Sequence, residues 1–141
     1  MITYFDTSAL VKTIVAEPDA DVAIEIWNAS DIRLTSIITY AEARAALAAA
    51  TRARRLVGRA PAASRDQLDA RWRALAIEAV SDDVVGFAGD LADREPLRAY
   101  DAVHLASALL AGKGDGVLFA TWDRKLSRAA RRLGMSTEAT T

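Results

Sequence analysis

The sequence predicts an α/β fold, a single domain with a central, mostly parallel β-sheet flanked by helices on both faces. Three observations predict it. Short apolar runs alternate along the chain with longer stretches of helical composition, and parallel strands need helical crossovers. The chain has 141 residues, enough for one domain over residues 1–141 and little more. Hydrophobic residues make up 52% of it; although 31 are alanine, the larger ones suffice for one core and exclude a disordered chain.

The elements follow in order. Ile2–Phe5 is β-branched and aromatic and reads as the first strand. Ser8 is a good N-cap for a short helix, Ala9–Ala16, halted before Pro18. Asp19 caps a second helix whose apolar contacts are Val22, Ile24, Ile26 and Trp27. Ile32–Thr35 is the second strand. Alanine density and the absence of Gly and Pro then favour a long helix from Thr39 to about Leu56, broken at Gly58 and Pro61. Ser64 with Gln67 forms a capping box for a helix running to about Leu75. Ile77–Val80 is a third strand, and Asp82 or Asp83 caps a helix ending near Pro96. Tyr100–Ala111 is helical, Gly112–Gly116 is a helix C-cap and turn, and Val117–Ala120 is a strand. A last helix spans Asp123–Leu133, and Met135–Thr137 is an edge strand.

Composition removes several chemistries. Without cysteine there is no disulfide, thiolate nucleophile or thiolate zinc site. His104 is the single histidine, so a multi-histidine metal centre is impossible. No apolar run reaches membrane-spanning length and no basic, then apolar, leader opens the chain, so a cytoplasmic protein without membrane partners is expected. The net charge of −1 conceals alternating blocks. Residues 1–43 carry two positive and seven negative charges, whereas residues 44–73 carry eight arginines against Asp66 and Asp69. Residues 74–123 are acidic again and the C-terminal segment is basic. Fifteen of the eighteen cations are arginine, whose planar fork suits phosphate.

Four carboxylates stand out against this pattern. In a parallel α/β sheet the working site lies beyond the carboxyl ends of the strands. Asp6 directly follows the first strand, Glu42 lies in the first turn of the helix after the second, and Asp123 follows the strand 117–120. Asp101 opens its helix and can face the same edge. Each alone is explained as a cap or a dipole partner. Together they repel and raise one another's pKa, a conflict that Mg²⁺ or Mn²⁺ with hard oxygen ligands resolves.

The blocks Asp6-Thr7-Ser8-Ala9-Leu10, Tyr40-Ala41-Glu42, Leu97 to Ala106 around Asp101, and Thr121-Trp122-Asp123 resemble a PIN domain, more narrowly the VapC toxins of prokaryotic toxin–antitoxin pairs. The resemblance covers about residues 1–133 and leaves a short C-terminal tail. It implies a Mg²⁺- or Mn²⁺-dependent endoribonuclease that hydrolyses RNA phosphodiester bonds, in transfer or ribosomal RNA. The implied acidic quartet is Asp6, Glu42, Asp101 and Asp123, both catalytic and metal-holding, with Ser8 or Thr121 in the supporting hydroxyl positions. A VapB-type antitoxin that blocks the cleft, a homodimer and a heteromeric complex above it are implied too. Arginines between Arg44 and Arg59, including Arg52, Arg54 and Arg55, are expected to follow the RNA backbone.

Other signals point to structure. His104 is expected to hydrogen-bond its neighbours rather than bind metal, and Trp27 and Trp72 to pack in the core or an interface. Trp122, next to Asp123, is the exception to watch. A receiver-like module would want an adjacent acidic pair after the first strand, and an aspartyl phosphatase would want Asp-x-Asp, but Asp6 is followed by Thr7-Ser8. The remaining alternative is a catalytically silent PIN-fold module that binds RNA or protein.

Overall fold

The computed structural model describes residues 1–54, 61–112 and 116–138. Its elements are β1 (Ile2–Phe5), α1 (Thr7–Lys12), α2 (Ala20–Ala29), β2 (Ile32–Ser36), α3 (Thr39–Arg52) and α4 (Pro61–Arg73). There follow β3 (Ala76–Glu78), α5 (Asp82–Arg94), α6 (Ala99–Gly112), β4 (Val117–Ala120), α7 (Arg124–Arg132) and β5 (Ser136–Glu138). The five strands form one sheet in the order β3-β2-β1-β4-β5, and every pairing is parallel. The chain winds outward from β1 in one direction through β2 and β3, then crosses to β4 and β5 on the other side. The gap between the ends of β1 and β4 is therefore the topological switch point, where such sheets place their sites.

Strand alternation divides the core into two layers. Tyr4, Leu34, Val117 and Phe119 face α5, α6 and α7, and Tyr4 stacks on Phe119 with centroids 5.4 Å apart. Phe5 and Ala120 face the other way, against α1, α2, α3 and α4. The register pairs Phe5 with Ala120, so a large residue sits beside a small one and leaves room for Trp27, 5.1 Å from the Phe5 ring. Helices thus cover both faces, as the alternation of the sequence requires.

Several boundaries differ from the sequence reading for local reasons. Asp6, not Ser8, is the N-cap of α1: its carboxylate accepts from the Ala9 amide at 2.8 Å, and the Ser8 hydroxyl turns back onto Asp6. That helix ends at Lys12 rather than Ala16, because the Thr13 hydroxyl bonds the Leu10 carbonyl and a β-branched run follows. Asp19 precedes α2 in a left-handed conformation (φ 68°) and does not cap it. Pro61 starts α4, a position that suits its missing N–H, so Ser64 lies inside the helix and not at a cap. Ser81 caps α5, leaving Asp82 and Asp83 in its first turn. The strand β5 is shifted by one residue from the expected run, and β3 starts one residue early at Ala76 and ends at Glu78 instead of Val80. The long helix α3 closes at Ala53, and Leu56 and Gly58 lie outside the described residues. Gly112 ends α6 with Val117 packed so close that a Cβ would meet its methyl at 2.9 Å. Lys113, Gly114 and Asp115 lie outside the described residues.

Candidate active site

The switch point opens into a pocket of about 380 Å³, and Asp6, Glu42, Asp101 and Asp123 all line it. Four elements deliver them. Asp6 leaves the end of β1, Glu42 projects from the first turn of α3, Asp101 from the first turn of α6, and Asp123 caps α7 just beyond β4.

Asp6 is the most constrained. It is 3% exposed, and its Oδ1 accepts from the Ser8 hydroxyl (2.7 Å) and the Ala9 amide (2.8 Å). Its Oδ2 accepts from the Thr121 hydroxyl at 2.5 Å. Burial drives its pKa above the ordinary Asp value, and the opposing pull of His104 and these three donors does not cancel that. Ser8 and Thr121 do more than hold Asp6. The Trp122 amide donates to the Ser8 hydroxyl (2.8 Å) and the Asp123 amide to the Thr121 hydroxyl (3.1 Å). Two hydroxyls thereby fasten the end of β1 to the turn that carries Asp123.

Glu42 sits at the end of a buried chain of donors. His104, 2% exposed, places Nε2 at 2.7 Å from Glu42 Oε1 and Nδ1 at 2.8 Å from the Tyr4 hydroxyl. Burial, then the charge of Asp6, raise the Tyr4 pKa well above its usual value, so this hydroxyl keeps its proton. An ionised Glu42 only accepts, so Nε2 carries a proton and, in the neutral ring, Nδ1 accepts from Tyr4. Thr7 donates to the same Oε1 at 2.9 Å. Burial pushes the Glu42 carboxyl up, but the bond from His104, its charge, Thr7 and Arg98 together outweigh this and hold the pKa below the usual value. The sequence reading anticipated the hydrogen-bonding role of His104; it did not anticipate Tyr4 or Thr7.

Asp101 is tied by Oδ2 to Arg98 Nε at 3.0 Å, and Asp123 uses Oδ1 to cap the Leu126 amide at 3.0 Å. Arg98 was not singled out in the sequence, although its spacing of three residues from Asp101 on one helix was the available signal. A shared pattern emerges. In Glu42, Asp101 and Asp123 one carboxylate oxygen is engaged by protein donors, and the other lies outside those bonds.

The expected arginines are elsewhere. Arg44 lies against the Tyr40 ring and lines a separate groove between α3 and α4, while Arg52 and Arg54 are exposed at the far end of α3. None of the three lines the acidic pocket. Arg55 lies outside the described residues. Trp27 is core, Trp72 packs against Tyr40, and Trp122 does line the pocket, with Lys12 5.6 Å over its ring.

Comparison with known proteins gives this geometry a family. The PIN domain model matches residues 3–132, a span that includes all four carboxylates. The chain belongs to the PIN-domain family. It is 39% identical over 133 residues to Ribonuclease VapC45 of Mycobacterium tuberculosis (strain CDC 1551 / Oshkosh), covering 94% of this chain and 92% of that protein. Ribonuclease VapC46 of Mycobacterium tuberculosis (strain ATCC 25618 / H37Rv) is 35% identical, with 94% and 93% covered. These relatives place it among the VapC-type members of the family. The crystal structure of VapBC2 from Rickettsia felis bound to a DNA fragment from their promoter superposes with a TM-score of 0.67 over 98% of each chain, at 15% identity. That likeness is one of fold.

The carboxylates of this PIN-domain pocket, with the His104 ring committed to Glu42 and Tyr4, suit a hard divalent cation such as Mg²⁺ or Mn²⁺. Among the described residues, no three His, Asp or Glu side chains gather tightly enough to cage an ion by themselves. The carboxylates share a pocket, not a point. No helix among the described residues is long and apolar enough to cross a membrane.

Proposed function

We propose that this PIN-family chain is an endoribonuclease toxin of the VapC type, hydrolysing RNA phosphodiester bonds at the pocket between β1 and β4 with Mg²⁺ or Mn²⁺. The observation that carries the reading is the buried Asp6 carboxylate, raised in pKa, sharing a pocket with the carboxylates of Glu42, Asp101 and Asp123. Such a group needs a proton or a cation, and a pocket lined by hard oxygen donors favours the cation. When bound, the cation supplies positive charge that polarises a phosphoryl oxygen and makes water more acidic.

The protein's part is orientation. Asp6 and Asp101 are the principal ligands in this reading, with Glu42 and Asp123 direct or through water. Ser8, Ala9 and Thr121 lock the Asp6 carboxylate, Thr7 and His104 lock Oε1 of Glu42, and Arg98 and the Leu126 amide lock one oxygen each of Asp101 and Asp123. The second oxygens of Glu42, Asp101 and Asp123 are left to face cation and water. Preset donors of this kind lower the reorganisation needed when substrate arrives. Transfer or ribosomal RNA is the proposed target class.

Four carboxylates repel the substrate's own phosphates, so a partner that silences the site must bring a cation. The grip of Arg98 on Asp101 shows how a guanidinium engages a carboxylate here. A VapB-type antitoxin that inserts an arginine into the pocket satisfies that requirement, within a heteromeric complex built on a homodimer. Support comes from the VapC relatives.

Cleavage of total cellular RNA by the purified, partner-free chain tests the reading, with Mn²⁺, Mg²⁺ or EDTA present. Discrete fragments are expected with metal, none with EDTA, and none from Asp101→Asn with its melting temperature retained. A folded wild-type chain that leaves every RNA intact would favour the silent binding module.

A further inference from the structure

We infer that a second cleft, opening from the acidic pocket between Asp101 and Asp123, is the subsite that seats the RNA backbone beside the bond to be cut, with Arg124 and Lys125 as its phosphate contacts. The inference rests on the ribonuclease reading above and assigns where substrate enters.

The cleft measures about 470 Å³, comparable to the acidic pocket itself, and has Pro96 and Leu97 in its wall. Arg98, Asp101 and Asp123 line both spaces, so the two are continuous across a seam of these side chains. On the far side of the seam stand Arg124 and Lys125. Both are exposed, and among the described residues neither makes a hydrogen bond, ion pair or ring contact. Their position works against local stability. They are the first two residues of α7, where the helix dipole disfavours cations, and the acid next to them in the chain, the N-cap Asp123, commits its Oδ1 to the Leu126 amide. Two uncommitted cations held against a dipole, on the rim of a cleft that runs into an acidic centre, are suited to an incoming polyanion.

The geometry also solves a problem of approach. A phosphodiester entering the acidic pocket from Lys12 and Trp122 meets carboxylates directly, and Lys12 is already held by Glu17 at 3.1 Å. Entry over Arg124 and Lys125 instead lets two flanking phosphates settle on positive charge while the next one crosses the seam. Arg98, bonded to Asp101 at the boundary, is placed to meet that phosphate. Contacts of this kind carry no base information; they fix register and direction along the strand. The arginines of α3, on a different groove, play no part in this path.

The test compares Arg124→Gln/Lys125→Gln with Arg65→Gln/Arg73→Gln, an equal charge loss on α4, which lines neither space. The probe is a short fluorophore-labelled single-stranded RNA of mixed sequence, titrated by anisotropy in EDTA at several salt concentrations; cleavage is followed separately with Mn²⁺. The cleft variant is expected to bind at least about five-fold more weakly and to lose about 1.4 from the slope of log K against log salt, at about 0.7 per single-strand phosphate contact. Its KM rises while kcat stays close to wild type, and the α4 variant stays near wild type in both. A cleft variant that keeps wild-type affinity and slope, or an equal loss in both variants, overturns the inference while wild-type cleavage leaves the ribonuclease reading standing. A wild-type chain that neither binds nor cuts RNA removes both.

Discussion

Asp6 carries two demands that pull in opposite directions. It caps α1 and gathers Ser8 and Thr121, yet its burial makes the ionised form expensive, which is why its pKa rises. A raised folded-state pKa means that the folded protein holds the proton more tightly than the unfolded one. Its contribution therefore favours folding at low pH and is lost as pH climbs through the folded value. Glu42 has the opposite sign: its lowered pKa stabilises the fold above the ordinary Glu range, and that stability is lost as pH falls through the folded value. Metal-free Asp6→Asn should consequently melt at or above the wild-type temperature at neutral pH, with the difference shrinking as pH falls through the Asp6 value. Asp6→Ala, which removes the cap, should melt lower. Thermal denaturation from about pH 4 to pH 8 checks both signs. Tyr4→Phe removes only the hydroxyl that faces His104 and should cost about 1 kcal/mol without abolishing cleavage.

At the scale of elements, the ends of helices do most of the positioning. Asp6, Glu42, Asp101 and Asp123 all stand at or within the first turn of a helix, where free backbone amides and the helix dipole favour acidic side chains. Two of them cap their helices outright, so shape and chemistry are supplied by the same atoms. Capping remote from the pocket offers the contrast. Ser81 accepts from the Val84 amide at the start of α5 and lines neither the pocket nor the cleft beside it. Ser81→Ala should lower stability by about 1 kcal/mol, a shift of roughly 3 °C, and leave RNA cleavage unchanged. By the same logic Asp123→Asn, which keeps an acceptor for the Leu126 amide, should preserve α7 while reducing cleavage.

The whole molecule assembles its pocket from segments far apart in sequence. The two tyrosine–histidine and threonine–aspartate bonds that organise it join residues separated by about a hundred positions, so the site exists only when the sheet is complete. A ligand that binds only the folded form should therefore stabilise the entire domain. Mn²⁺ at about a hundred times its Kd is expected to raise stability by about 2.7 kcal/mol in the wild type and by far less in Asp101→Asn, read as a shift in melting temperature.

Much of this was legible from the sequence because local patterns carry it. Alternating apolar runs and alanine-rich stretches give the strand and helix order, and the rule for strand ends in parallel sheets selects Asp6, Glu42 and Asp123 without any three-dimensional information. Helix boundaries were less legible where several cap candidates lie side by side: Asp6 displaced Ser8 and Ser81 displaced Asp82, because backbone direction decides which side chain can reach the free amides. Pairing across the sheet was beyond sequence reasoning. Nothing local announces that Tyr4 meets His104, that Thr121 reaches Asp6, or that Arg124 and Lys125, not the arginines of α3, line the cleft that adjoins the acidic pocket. Periodicity reports which face of an element is buried, whereas strand order decides which faces meet, and here the crossover between β1 and β4 brought distant carboxylates and cations to one opening.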